Sequence, residues 1–346
     1  MRQSKGVLRM IVETTVRKAL NDLEKDPERT IRNLVEIAHG FSKGEFQKNF
    51  FQIVQSMLEN EDSAYYLLVK NLVYYVDHET LLTFGMNLGY NGCANGSKKM
   101  RQAEEKYGFH VPWSMCFCME EGDTSFPIEQ SYEIIEQGKT WGAYTYFFFS
   151  CDEHLEEISQ LVESEPDCAF LIFIGPQKGK EAQERFGQMH NLMIFVCGDC
   201  PDSIETAKYL VENKMLVGAY RLYSSDQVSE VETGAWLKEI SSSGAAMAFW
   251  AAEESCSKEE RKEVWSYIRK TRFYQDYPII PVEFSMDMIT IDQAFSPDTC
   301  SLHFSPSGQV TLYDKNGTRN LGLYSSGTPL QQILGGNMQE TCIYFM

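Results

Sequence analysis

Apolar residues recur in two rhythms along this chain. From residue 7 to about 88 they return every three or four positions, so that Val7, Leu8, Ile11, Val16, Ala19, Leu20 and Leu23 line one face. That spacing predicts an amphipathic helix. Asp26-Pro27-Glu28 then offers a cap, a first-turn proline and an early acid for a second helix. The helical rhythm continues through 45–59 and 63–76, and Asp77 is placed to cap one more helix through Phe84. Gly89, Gly92 and Gly96 in LGYNGCANGS predict a break. Residues 1–110 read as an N-terminal helical region.

From Val111 the rhythm changes. The short apolar runs VPWSMCFC, AYTYFFFS, AFLIFIG, LMIFVCG, MLVGAYRLY and AAMAFWAA alternate with charged amphipathic stretches at 128–140, 153–165, 201–213 and 230–242. Near-continuous apolar strands separated by helices predict an α/β fold, a parallel sheet covered by helices. Six such units over 111–277 fit a full or partial β/α barrel, whose active face lies at the C-terminal ends of the strands. The remainder, 278–346, departs from the pattern. IIPVEFSMD reads as one more strand, and CSLHFSPSGQVTLYD as a β-hairpin turning at Ser305-Pro306-Ser307-Gly308.

Composition narrows the role. A chain of 346 residues carrying 31 Lys and Arg against 49 Asp and Glu, net −18, lacks the basic footprint that nucleic acids or anionic membranes require. In MRQSKGVLRMIVETTV, Arg9, Glu13 and Arg17 interrupt any apolar stretch of signal-peptide length, and no segment nears the roughly 18 apolar residues of a membrane span. The ten cysteines lie within apolar runs, which predicts reduced thiols and a cytoplasmic location.

The local chemistry is sparse. Cys197-Gly198-Asp199-Cys200 is a CxxC at a strand end, a pattern that can bind zinc or exchange thiols, but a structural zinc site needs four ligands and there is no second CxxC, and a thioredoxin-like motif would sit at the start of a helix in a different βαβ context. It is read as structural. Asp152, Glu153 and His154 sit at another strand end, where Asp152 is expected to cap the following helix and Glu153 to occupy its first turn, rather than to act as acid or base. His110 and His303 lie in extended segments beside apolar residues and read as packed. Tyr144, Tyr146, Phe147, Phe148 and Phe149 read as a buried strand rather than a stacking platform. The chain has no GxGxxG, P-loop, GxSxG or HExxH.

Several stretches carry a resemblance: SKGVLRM at 4–10, EKDPERTIRNLVEIA at 24–38, EKYGFHVPW at 105–113, EIIEQGKTWGAYTY at 133–146, DCAFLIF at 167–173 and LHFSPSGQV at 302–310. In these the chain resembles the radical S-adenosylmethionine (radical SAM) enzymes, in the subgroup with a helical N-terminal region and a SPASM-like C-terminal extension. The resemblance implies a partial barrel of radical SAM type, divided as 1–110, 111–277 and 278–346. It also implies a place for each functional group, and those places hold other residues. The loop after the first strand, where the family has CxxxCxxC to hold a cluster, reads MEEGDTSFPIEQ. Cys116 and Cys118 lie inside the strand before it and are read as core. The glycine turn that admits SAM is replaced by Ser150-Cys151-Asp152-Glu153, and the third strand's Asn-Gly by Ile174-Gly175-Pro176. Tyr220-Arg221 put bulky groups on the fifth strand, and the positions of the auxiliary cysteines fall at Tyr313 and near Ala294.

The resemblance therefore implies a member without catalytic, cofactor or metal residues, acting as a partner or regulator of an active radical SAM enzyme or of its substrate. No cofactor is expected, and the contact with a protein partner, itself or an active relative, is expected within residues 1–100. The alternative is an enzyme with a non-standard site at the barrel mouth. There Cys118, Cys151, Cys197 and Cys200 are the candidate ligands, for zinc or for [4Fe–4S] with S-adenosylmethionine.

Overall fold

The computed structural model describes residues 2–23, 29, 30, 32, 33, 35, 36, 59, 60, 62–121, 123–295, 301–314 and 317–335. The chain divides into two compact units, Met1–Leu82 with Val196–Met286 and Thr83–Phe195 with Asp287–Met346. Each is made of two separate stretches of chain, whereas the sequence reading sets out three consecutive segments.

Each predicted apolar run contains a strand. The strands are β1 (Ser114–Cys118), β2 (Thr145–Phe149), β3 (Ala169–Ile174), β4 (Leu192–Cys197), β5 (Val217–Tyr223), β6 (Met247–Ala252) and β7 (Ile280–Glu283). In IIPVEFSMD the strand stops at Glu283 and Phe284 opens the helix Phe284–Phe295, an apolar run being compatible with either element. The chain passes from one unit to the other within β4. The helices Ile128–Trp141, Leu155–Ser164, Ser203–Glu212 and Ala235–Ser241 fall on the four predicted amphipathic stretches, while Gly179–Phe186 and Lys258–Tyr274 are helices between strands that the pattern did not predict.

In the second unit β1, β2 and β3 are parallel neighbours, with Ser114 opposite Thr145 and Phe148 opposite Ile172. The C-terminal hairpin joins the same sheet. Its first strand, β8 (Ser301–Phe304), lies parallel to β1 with Met115 opposite Leu302, and β9 (Gln309–Asp314) is antiparallel to β8. A further edge strand, β10 (Gly317–Leu323), pairs with β9 and has no counterpart in the sequence reading, because Thr318, Arg319 and Asn320 are exposed and polar. In the first unit β5, β6 and β7 form a parallel set. The fold is α/β with a mainly parallel sheet, and neither run of described strands closes on itself.

Both faces of β1 to β4 are buried, which is why these runs are apolar without alternation. On one face Phe117 stacks on Phe148 at 4.8 Å and on Phe304 at 5.2 Å, and Tyr146 packs on Phe170 at 5.9 Å. This face looks toward helix Ile128–Trp141, since Tyr146 Oη donates to the carbonyls of Ala143 at 2.9 Å and Ile135 at 3.3 Å.

The N-terminal helices are Arg2–Leu23, Ala64–Tyr75 and His78–Gly85, the last capped by Asp77, whose Oδ1 accepts from Thr80 N at 3.1 Å. Residues 29, 30, 32, 33, 35 and 36 are helical; the rest of 24–38, and 45–58, lie outside the described residues. The expected break at Gly89, Gly92 and Gly96 is absent. Met86–Gly96 is a π-helix that runs directly into helix Ser97–Tyr107. Gly92 and Gly96 serve contact rather than interruption: a Cβ on Gly96 would overlap the carbonyl oxygen of Gly142, and one on Gly92 would meet Thr145 Oγ1 at 3.4 Å, whereas one on Gly89 would meet open space. Asn87 and Asn91 fasten the wide helix, donating to the carbonyls of Pro166 and Cys168 at 2.8 Å and of Asp167 at 2.9 Å.

Candidate functional site

In a β/α fold, chemistry gathers at the C-terminal strand ends. The loop leaving β1 is short and stapled. Met119 N donates to Phe149 O at 2.9 Å, Phe126 N donates to Met119 O at 2.8 Å, and between them Glu120–Glu121 pairs with Thr124–Ser125 as a small hairpin. Cys116 is buried, 3.9 Å from Ser301 Oγ, and burial pushes its thiol up. Cys118 is half-buried at the strand end, where its thiol donates to Glu120 O at 3.4 Å and lies 4.0 Å from Ser150 Oγ.

The end of β2 is occupied by side chains bonded to the protein itself. Ser150 is exposed and holds a left-handed backbone with φ 54°, a conformation that glycine adopts freely and other residues rarely do. Cys151 is fully buried; its thiol donates to Phe148 O at 3.0 Å, and burial pushes it well up. Asp152 does not cap the next helix as expected. Its Oδ1 accepts from Gly175 N at 2.9 Å and its Oδ2 from Gln177 Nε2 at 2.5 Å, tying the end of β2 to the loop after β3. The carboxylate turns away because the preceding backbone brings Gly175 N within reach. His154 takes the N-cap position, with Nδ1 3.3 Å from Glu157 Oε2, and Glu153 stands before the helix, 3.3 Å from Lys178 Nζ.

Alternation along a strand puts Phe147, Phe149, Phe173 and Phe195 on the face opposite Tyr146. They pack in a row: Phe147 to Phe149 at 6.4 Å, Phe149 to Phe173 at 4.4 Å with rings tilted by 40°, and Phe173 to Phe195 at 4.7 Å with rings only 9° from parallel. This face of β2 to β4 is thus lined with phenylalanine rings.

In the first unit the CxxC turn follows β4. Cys197 Sγ and Cys200 Sγ are 3.7 Å apart. Asp199 accepts from Arg221 Nε at 2.7 Å and from Leu222 N at 2.9 Å, and the Arg221 guanidinium lies over Trp236 at 5.9 Å and Trp250 at 5.6 Å. Sequence reasoning missed this cluster. Asp199 and Arg221 are 22 positions apart, and only the neighbouring of strand ends brings them together.

One further polar feature was also missed, while His303 packs as the sequence predicts. Asp292 is buried on helix Phe284–Phe295 and accepts from Trp113 N at 3.2 Å; burial raises its carboxyl far above the ordinary range. The available signal was an acid within MDMITIDQAF. His303 is held by Ser301 Oγ, 3.2 Å from its Nε2, and by the Tyr313 ring at 4.3 Å, and burial lowers it to about 4. Tyr313 thus packs on a histidine at its place in the extension, while the side chain of Ala294 lies outside the described residues.

Cys118 and Cys151 belong to one unit, Cys197 and Cys200 to the other. Among the described residues no group of three or more His, Cys, Asp or Glu side chains is arranged to hold a metal ion, and no helix is long and apolar enough to cross a membrane.

No protein-family model matches the chain, and no curated protein matches it. Among solved structures it is similar to Streptococcus suis SuiB bound to S-adenosylmethionine, at 11% identity and a TM-score of 0.49, over 79% of this chain and 83% of that one. SuiB bound to the precursor peptide SuiA is similar at 11% identity and a TM-score of 0.46, over 62% of this chain; the match spans 63% of that SuiB chain. Type I 3-dehydroquinate dehydratase from Clostridium difficile is similar at 10% identity and a TM-score of 0.40, over 66% of this chain and 92% of that one.

Proposed function

We propose that this chain is a radical SAM-like protein that performs no radical chemistry and acts by binding, as partner or regulator of an active radical SAM enzyme or of its substrate. The observation that carries this reading is that side chains at the end of β2 bond to the protein itself beside a row of phenylalanine rings. Phe147, Phe149, Phe173 and Phe195 form the row, while Cys151 and Asp152 spend their polar atoms on Phe148, Gly175 and Gln177. A SAM-binding turn needs backbone open to the ligand, and a cluster needs convergent thiolates. The stapled hairpin at 119–126 and the sequence resemblance support the same reading.

The test is purification under anaerobic conditions followed by iron and sulfide analysis and calorimetry with SAM. The expected protein is colourless, with iron far below stoichiometry and no saturable SAM binding. An absorbance band near ~400 nm, where iron–sulfur charge transfer falls, would overturn the proposal if Cys118→Ala or Cys197→Ala abolished it.

A further inference from the structure

We propose that Cys197 and Cys200 form a reversible dithiol–disulfide site that takes small-molecule disulfides as its oxidant. The two sulfurs are 3.7 Å apart, with one thiol donating to the other, and both side chains are half-buried, so a small reagent reaches them. A disulfide requires about 2.05 Å between sulfurs. Rotation of the two side chains covers most of the remaining distance, because the residues are the ends of one tight turn.

The turn is held in place before any bond forms. Gly198 N donates to Tyr220 O at 2.7 Å, Asp199 is clamped by Arg221 Nε and Leu222 N, and a Cβ on Gly198 would lie 2.8 Å from the Trp236 ring. The two thiols are thereby kept near each other, which raises their effective concentration toward intramolecular exchange. Cys118, half-buried at the end of β1, is in the other compact unit, and three more cysteines are shielded. Cys116, Cys151 and Cys168 are buried, and burial pushes each of their thiols up, away from the thiolate that attacks.

The exchange balances as two steps. One cysteine thiolate attacks the small disulfide, forms a mixed disulfide and releases one small thiolate. The second cysteine then attacks the protein sulfur of that mixed disulfide and releases the other. Two protein thiols become one disulfide, and the oxidant leaves as two thiols carrying the two protons and two electrons. Because the turn packs on Trp236, and Arg221 joins it to Trp236 and Trp250, closure of the bond shifts the surroundings of both indoles.

The full chain is equilibrated in reduced and oxidised glutathione over a range of ratios, quenched with an alkylating agent and mapped by peptide mass spectrometry, with tryptophan fluorescence followed in parallel. Cys197 and Cys200 are expected to lose alkylation together, as one two-electron step reversed by dithiothreitol, and fluorescence to change along the same curve. In Cys200→Ser, Cys197 is expected to stop at the glutathione mixed disulfide, without the two-electron step. The inference is overturned if both cysteines stay alkylatable at every ratio, if they are glutathionylated independently in the unaltered chain, or if the fluorescence step survives in Cys200→Ser.

Discussion

Ser150 carries a backbone that its side chain does not favour. At φ 54° a Cβ costs about 1–2 kcal/mol that glycine avoids, partly offset by glycine's larger entropy loss on folding. Ser150→Gly is therefore expected to leave stability unchanged or raise it by up to about 1 kcal/mol, and Ser150→Val to lower it by at least about 1 kcal/mol. Urea denaturation of the pair decides this, and equal stabilities would refute the strain. His303 makes a second prediction at this scale. The unfolded imidazole takes up a proton near pH 6.5 and the folded one only near 4, since burial holds it neutral beside Ser301 and Tyr313. Its stabilising effect is whole above pH 6.5 and is lost as pH falls from there toward 4, by on the order of 2 kcal/mol. Denaturation midpoints across that window should fall more steeply for the unaltered chain than for His303→Gln.

The π-helix Met86–Gly96 shows how an element depends on what it touches. Its wide turns and glycines read as a break, yet Asn87 and Asn91 hold it to the segment between helix Leu155–Ser164 and β3 through three backbone carbonyls. Asn87 is buried, so Asn87→Ala strips the carbonyls of Pro166 and Cys168 of a donor and is expected to cost about 1–3 kcal/mol. A loss under ~0.5 kcal/mol in chemical denaturation would mean that the contact contributes nothing. The strands β1 to β6 were legible because each is an apolar run beside charged stretches, whereas β7 was legible without its end, since its apolar run continues into the helix Phe284–Phe295. β10 was not, because an exposed edge strand needs only backbone pairing and leaves little trace in side-chain polarity.

For the molecule as a whole, the expected contact within residues 1–100 has a physical candidate. Met10 is 66% exposed, Leu67 50% and Tyr74 71%, on helices Arg2–Leu23 and Ala64–Tyr75, which pack together in the first unit. If these helices carry the partner surface, association should bury on the order of 1,000 Å² or more. Leu67→Asp and Tyr74→Asp should weaken it at least about tenfold, since each puts a charge into an apolar contact and adds to a net charge of −18. Sedimentation velocity of the unaltered chain, alone and with a catalytically intact relative, measures this. A monomer that binds no relative, together with no co-purifying protein from the native host, would refute it.

Polarity patterning by itself determined the strands β1 to β6, four of the helices between them and the burial of Cys116, because the requirement to bury apolar side chains acts on each segment separately. Composition likewise argues against a broad basic footprint, at a net charge of −18. The tertiary structure decided what depends on two distant segments meeting: the parallel pairing of β8 with β1, Asp152 turning to Gly175 rather than to its own helix, the clamp of Arg221 on Asp199, and the seating of Gly96 against Gly142. Each is set by register and close approach between strand ends or helices, and those are properties of pairs that no local pattern encodes.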